Sequence, residues 1–244
     1  MFEGAATHAA PRDAVFIHGA GGNNALWTEV LQGLSGSGTA YALNLPGHPT
    51  GEISCHTIDE YSDAVFSFIV GQRLRPALCG HSMGGAVALT LALNHPDSVS
   101  GLVLLASGAK LGVMPELVSG LEKEPLKVIE QIITPLSFHR LDLETGRKAR
   151  VALSLSNPGV FLNDYIACAG FDVRARLREL TVKTLIVCGE DDKLTPPKWS
   201  TYLDANISAP HDLRFVKEAG HMLPIEKPEV CARLVQGFLS GLNR

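Results

Sequence analysis

Short apolar runs alternate with segments of helical periodicity along most of this 244-residue chain. Such alternation is typical of βα units and a parallel sheet. Several of the runs are apolar at almost every position, as expected for strands that helices cover on both faces. The predicted strands are residues 14–17, 41–45, 76–79, 102–106, 184–188 and 213–216.

The helical segments begin and end at recognisable signals. Thr57 followed by Glu60 forms a capping-box pattern and predicts the start of a helix with an apolar face. A second helix is predicted to begin near Ser82 and to end before Pro96, because proline cannot continue a helix. Two more helices are predicted, at residues 197–205 and 229–240.

Residues 108–171, here called the inserted segment, interrupt the alternation. Their pattern is mostly helical, with several prolines and no clear strand, so we expect a helical lid inserted into one domain. The prediction is a single domain over residues 1–244, with its core in 1–107 and 172–244. Only about a dozen residues precede the first predicted strand, which predicts a truncated edge of the sheet.

Composition and charge narrow the class of protein. Hydrophobic residues make up 45% of the chain and charged residues 19%, which is enough apolar material for a sizeable core. The net charge of −4 disfavours a nucleic-acid partner. No apolar stretch approaches the roughly 20 residues of a membrane helix, and the N-terminal residues do not resemble a secretory signal. Five scattered cysteines without a CxxC pair favour the reducing cytoplasm.

The sequence Gly-His-Ser-Met-Gly at residues 80–84 follows a predicted strand and opens a predicted helix. A sharp strand-to-helix turn forces Ser82 into strained backbone geometry and exposes its hydroxyl, and side chains in place of Gly80 and Gly84 would collide with neighbouring backbone. The pattern predicts a nucleophilic serine with positive φ. The alternative is a glycine-rich helix N-terminus whose serine has no chemical role.

A serine hydroxyl needs a base to remove its proton and an acid to orient that base. Glu190, Asp191 and Asp192 follow one predicted strand, and His221 follows the next. The carboxyl ends of parallel strands share one edge of a sheet, so we expect these residues to lie beside Ser82. The Ser82 Oγ is predicted to lie within hydrogen-bonding reach of a His221 nitrogen.

Four segments, residues 18–22, 80–84, 189–196 and 220–221, together resemble α/β-hydrolases of the lid-bearing serine esterase type. The resemblance implies a mostly parallel sheet of six to eight strands with helices on both faces and an inserted helical lid. The family pattern G-x-x-D-x-x-x-P falls on Gly189, Asp192 and Pro196, which favours Asp192 as the acid. Asn44 departs from the family, which usually has aspartate at that position.

The resemblance also implies an oxyanion hole formed by the backbone N–H groups of Ala20 and Met83. His18 is expected to brace the Ala20 loop. Apolar residues of the inserted segment suit an acyl pocket, although each of them could equally pack the segment onto the core. The predicted substrate-binding residues are Gly19, Trp27, His81, Phe138, Phe161 and Tyr165.

The leading hypothesis is a carboxylic ester hydrolase that acts on small to medium acyl chains through an acyl-enzyme. The same three residues also serve thioesterases, carbon–carbon bond hydrolases and a lyase of menaquinone biosynthesis. Outside the enzymes, the fold supports small-molecule receptors with little turnover. The hypothesis includes a small-molecule ester as the partner, neither cofactor nor metal, no membrane association, and a monomer or homodimer.

Overall fold

Seven strands form one sheet in the computed structural model, which describes residues 5–51, 54–133, 136–152 and 157–242. The strands are β1 (Ala6–Ala10), β2 (Ala14–Ile17), β3 (Gly38–Leu43), β4 (Ala77–His81), β5 (Gly101–Leu105), β6 (Thr184–Gly189) and β7 (His211–Val216). Their order across the sheet is β1-β3-β2-β4-β5-β6-β7. All neighbouring pairs are parallel except β1 and β3.

The edge strand β1 was absent from the strands predicted from sequence. It pairs antiparallel with β3, from Ala6 opposite Ala42 to Ala10 opposite Gly38. Four of its five residues are Ala or Thr, and most of them are not buried, so no apolar run marks the strand. The few residues before β2 are therefore enough for one further strand on the sheet.

The helices of the described residues connect the strands. They are α1 (Thr28–Gln32), α2 (Ile58–Gly71), α3 (Met83–Asn94), α4 (Pro115–Lys123), α5 (Pro125–Ile133), α6 (Leu143–Ala152), α7 (Pro158–Gly170), α8 (Pro197–Asn206), α9 (Leu223–Glu226) and α10 (Pro228–Ser240). The predicted capping box is present at the start of α2, where Glu60 N–H donates to Thr57 Oγ1 over 3.1 Å.

The strands β2, β4, β5 and β6 are buried on both faces of the sheet. Alternate residues of β2 belong to two different core clusters: Val15 and Ile17 pack with α2 and α3, whereas Ala14 and Phe16 pack with α1 and α10. Every residue of α3 from Met83 to Leu93 is buried. Helices on both faces explain why the strands read as continuous apolar runs.

The inserted segment lies between β5 and β6 in the chain and contains α4, α5, α6 and α7. Its helix α7 contacts α2, α4 and α5. The boundaries proposed for a lid remain a prediction. No helix in the described ranges has both the length and the apolar character needed to cross a membrane.

Candidate active site

The turn between β4 and α3 holds Ser82 in a strained conformation, with φ of 52° and ψ of −119°. The positive φ predicted from the sequence is confirmed. A Cβ atom on Gly80 would lie 2.2 Å from the Gly84 carbonyl oxygen, and one on Gly84 would lie 2.2 Å from the Ile17 carbonyl oxygen. The glycines are therefore required by close backbone contacts, and the surrounding structure fixes Ser82 in this geometry.

Hydrogen bonds hold the backbone of Ser82 on both sides. Its N–H donates to the Leu105 carbonyl over 3.0 Å, and Ser107 Oγ donates to its carbonyl oxygen over 2.8 Å. The Ser82 hydroxyl makes no hydrogen bond to any described residue. The structure thus presents a positioned backbone and a free hydroxyl at the wall of a cleft.

Two backbone N–H groups beside this hydroxyl have no hydrogen-bond acceptor among the described residues, those of Ala20 and Met83. Ala20 lies in the loop after β2, and Met83 is the first residue of α3. Ala20 is partly buried, and Met83 begins a helix, whose first N–H groups have no acceptor within the helix. N–H groups in such positions can bind an anion. Their use as an oxyanion hole remains a prediction.

Asp192 and His221 are joined by a buried hydrogen bond. His221 Nδ1 lies 2.9 Å from Asp192 Oδ2. Both residues are buried, with 5% of His221 and 3% of Asp192 exposed. A carboxylate accepts, so Nδ1 carries the hydrogen and Nε2 is left as the basic nitrogen. The two residues predicted as acid and base are therefore in contact, and their catalytic roles remain a prediction.

The Asp192 carboxylate has two further donors. Its Oδ1 accepts from the N–H groups of Leu194 and Thr195, and its Oδ2 accepts from Thr195 Oγ1 over 2.7 Å. Burial acts to raise the pKa of Asp192, but the charge and hydrogen bond of His221 and the bonds from Thr195 outweigh it, so the pKa lies below its ordinary value. The residue is therefore an anion at neutral pH.

Ser82 and His221 line the same cleft, but the predicted hydrogen bond between the hydroxyl and the imidazole is not formed among the described residues. Both side chains line the cleft, and the predicted hydrogen-bonding reach between them stays a prediction.

His81 contacts both the backbone and the ring of His221. Its Nε2 donates to the His221 carbonyl oxygen over 2.9 Å, and the two rings lie 4.9 Å apart. Burial, with the nearby His221, lowers the pKa of His81 to about 3, so its ring is neutral. Its Nδ1 has no partner among the described residues, and a Cβ atom on Gly19 would lie 3.0 Å from it.

The cleft at Ser82 has a volume of about 40 Å³. Of the predicted substrate-binding residues, Gly19, His81, Phe161 and Tyr165 line it. The rings of Phe161 and Tyr165 stack with centroids 5.0 Å apart, and both come from α7. The inserted segment thus contributes two aromatic side chains to the cleft lining, and their role in binding substrate remains a prediction.

Trp27 and Phe138, the other two predicted substrate-binding residues, lie outside the cleft lining. Trp27 is completely buried in the core, where its ring contacts Phe16 with centroids 5.2 Å apart. Phe138 is buried behind the loop of Gly220, and its backbone lies within 3.0 Å of where a Cβ on Gly220 would stand. Neither lines the cleft, so the structure corrects these two predictions to packing roles.

Sequence reasoning missed several residues that hold the site together. Thr195 donates to Asp192, and Ser107 donates to the Ser82 carbonyl. Glu226 is the third such residue. Its carboxylate accepts from Gly220 N–H over 2.8 Å and from His139 N–H over 2.7 Å, which ties the His221 loop to the inserted segment. Within the described residues, no group of three or more His, Cys, Asp or Glu side chains could hold a metal ion.

Comparison with known proteins decides the family. The sequence pattern of the alpha/beta hydrolase family matches residues 14–234. The chain belongs to this family. Among curated relatives, a pimeloyl-[acyl-carrier protein] methyl ester esterase of Neisseria meningitidis serogroup C is 28% identical, over 96% of this chain and 95% of the relative. One of the same description from Vibrio cholerae is 26% identical, over 92% and 93%.

Solved structures agree with this membership of the alpha/beta hydrolase family. A thermophilic esterase superposes with a TM-score of 0.83 at 30% identity, covering 96% of this chain and 93% of its own. The enol-lactonase of Burkholderia xenovorans reaches 0.86 at 20% identity, covering 97% and 96%, and shows the fold alone. The esterases among these relatives support an ester hydrolase.

Proposed function

We propose that this protein hydrolyses carboxylic esters of small to medium acyl chains through an acyl-enzyme on Ser82. The observation that carries the proposal is the hydrogen bond between Asp192 and His221, which leaves His221 Nε2 as a base in the cleft that Ser82 lines. The strained serine and the two unpaired N–H groups beside it add to its support.

In the proposed reaction, His221 Nε2 removes the Ser82 proton as the hydroxyl oxygen attacks the ester carbonyl. The N–H groups of Ala20 and Met83 stabilise the oxyanion, and fixed donors of this kind contribute several kcal/mol because they need not reorganise. His221 returns the proton to the departing alcohol. Water then attacks the acyl-enzyme by the same route, while Asp192 orients His221 and stabilises its cation.

Among the reactions that this constellation supports, ester hydrolysis is favoured by the relatives, whose descriptions name methyl ester and other esterases. The small cleft favours a short group next to the scissile bond. We further propose a cytoplasmic location, which the five free cysteines support, since a reducing compartment leaves thiols unpaired.

The test is hydrolysis of p-nitrophenyl esters of graded chain length by the wild type and by Ser82→Ala. We expect turnover by the wild type and a loss of about a million-fold in kcat for Ser82→Ala. The control is Ser208→Ala, because Ser208 is exposed and far from the cleft lining. Turnover that survives Ser82→Ala would refute the mechanism. Labelling of Ser82 by a fluorophosphonate without turnover of any ester would favour a lyase or a receptor.

A further inference from the structure

Asp164, on α7 of the inserted segment, is completely buried. A buried carboxylate is costly unless it is paired and hydrogen-bonded, so its position calls for specific partners. It is not part of the proposed triad, and sequence reasoning gave it no role.

Three elements of the core donate to this one carboxylate. Its Oδ2 accepts from Gly21 N–H over 2.7 Å and from His48 Nε2 over 2.9 Å. Its Oδ1 accepts from the Tyr61 hydroxyl. Gly21 lies in the loop after β2, His48 follows β3, and Tyr61 belongs to α2.

The bond to Gly21 acts on the loop that carries the Ala20 N–H. That loop is a tight turn, closed by Gly22 N–H donating to the Gly19 carbonyl over 3.1 Å, and its third residue, Gly21, has φ of +63°. Adjoining peptide planes in such a turn are coupled through their shared Cα atom. A carboxylate that fixes the Gly21 N–H therefore limits how the Ala20 N–H can turn.

His48 and His18 extend the contact to the other end of the turn. His48 Nδ1 lies 3.1 Å from the Pro46 carbonyl, so both of its nitrogens face acceptors. Burial acts to lower the pKa of His48, but the hydrogen bond and charge of Asp164 outweigh it, so the pKa lies above its ordinary value. Its ring lies 4.7 Å from that of His18. His18 Nδ1 donates to the Gly19 carbonyl over 2.8 Å. The turn is therefore held by side-chain hydrogen bonds at both ends, from His18 at Gly19 and to Asp164 at Gly21.

We propose that Asp164 is a positioning residue for the oxyanion loop: from the inserted segment it holds the Gly21 N–H and thereby keeps the Ala20 N–H directed at the developing oxyanion. The inference rests on the function proposed above. It assigns to α7 a part in the chemistry in addition to its contribution of Phe161 and Tyr165 to the cleft.

The test compares Asp164→Ala and Asp164→Asn by kcat and KM for p-nitrophenyl acetate, with kcat expressed per site titrated by a fluorophosphonate. We expect Asp164→Ala to lose about tenfold to a hundredfold in kcat with little change in KM, less than deleting an oxyanion donor outright. Asp164→Asn should retain most of the wild-type kcat, because its amide oxygen can still accept from the Gly21 N–H.

Tyr61→Phe is the matched control, since it removes a donor to the same carboxylate without touching the Gly21 bond. We expect it to lower the melting temperature while kcat stays within about threefold of the wild type. If Asp164 had only a structural role, kcat would fall in parallel with the melting temperature in all of these variants. That result would overturn the proposal.

Asp164→Ala removes the partner of buried His48 and can fail to fold, so a double variant, Asp164→Leu with His48→Leu, removes the pair as a unit. We expect it to fold and to show the same loss of kcat. A folded double variant with wild-type kcat would overturn the positioning role and leave ester hydrolysis intact. A wild type that neither turns over esters nor reacts with a fluorophosphonate would overturn both proposals.

Discussion

His81 Nε2 donates to the backbone carbonyl of His221 across 2.9 Å, so the residue before Ser82 holds the backbone of His221. The bond links the β4–α3 turn directly to the loop after β7. Because the folded protein keeps His81 neutral, this contact has a consequence for stability in acid.

The free energy of unfolding should fall as the pH drops below 6.5, in part because of His81. Folding lowers its pKa from 6.5 to about 3, so between these values the unfolded chain binds a proton that the folded chain does not. His81→Gln keeps a donor for the His221 carbonyl but lacks this titration. We expect its stability, measured by urea denaturation, to fall less between about pH 7 and pH 4.5 than that of the wild type.

His18 is present in both proteins, and burial, the largest cause of its lowered pKa, acts in both, so most of its effect cancels in the comparison. Equal losses of stability in the two proteins over this range would show that His81 is not held neutral.

Asp192 and Asp191 provide a matched pair for testing the acid. Asp192→Asn should lower kcat by about 10³- to 10⁴-fold, because an amide at this position no longer favours the tautomer with hydrogen on His221 Nδ1. Asp191 is half-exposed and pairs with His139 over 2.9 Å at the surface. Asp191→Asn should therefore stay within about twofold of the wild type. Steady-state kinetics of the two variants checks this, and a larger loss in Asp191→Asn would move the acid to that residue.

Leu26 separates two cavities, since it lines both the cleft at Ser82 and a neighbouring cavity of about 170 Å³. Leu26→Ala should connect them and raise kcat/KM for a p-nitrophenyl octanoate relative to the acetate several-fold. It should also destabilise the protein by about 2–5 kcal/mol.

Leu31→Ala is the control for the Leu26 variant. Leu31 is equally buried but lines neither cavity, so its loss should cost similar stability and leave the chain-length profile unchanged. Identical profiles for the two variants would show that Leu26 does not limit the acyl chain.

Local sequence patterns predicted the parts of the site that depend on local geometry. Gly80 and Gly84 predicted a tight turn, and a Cβ atom at either position would collide with nearby backbone. The strained conformation of Ser82 follows from that turn. The same holds for the capping box of Thr57, which involves atoms three residues apart. Parallel strands then brought Asp192 and His221 to one edge of the sheet.

Contacts between distant parts of the chain gave no such signal. Asp164 meets Gly21 across 143 positions, and Glu226 meets His139 across 87. Each looks like an ordinary helical acid in the sequence. Trp27 shows the opposite error: it was predicted to bind substrate, but its large apolar surface is buried against Phe16 instead.

The burial of Asp164 also bears on how substrate reaches Ser82. Swinging α7 away from the core would leave the Asp164 carboxylate, the His48 imidazole and the Gly21 N–H without these partners at once, a penalty of several kcal/mol. Rotation of the Phe161 and Tyr165 rings within an otherwise stationary helix breaks none of those bonds. We therefore expect substrate to enter past the Phe161 and Tyr165 side chains, which line the cleft, while α7 itself stays in place.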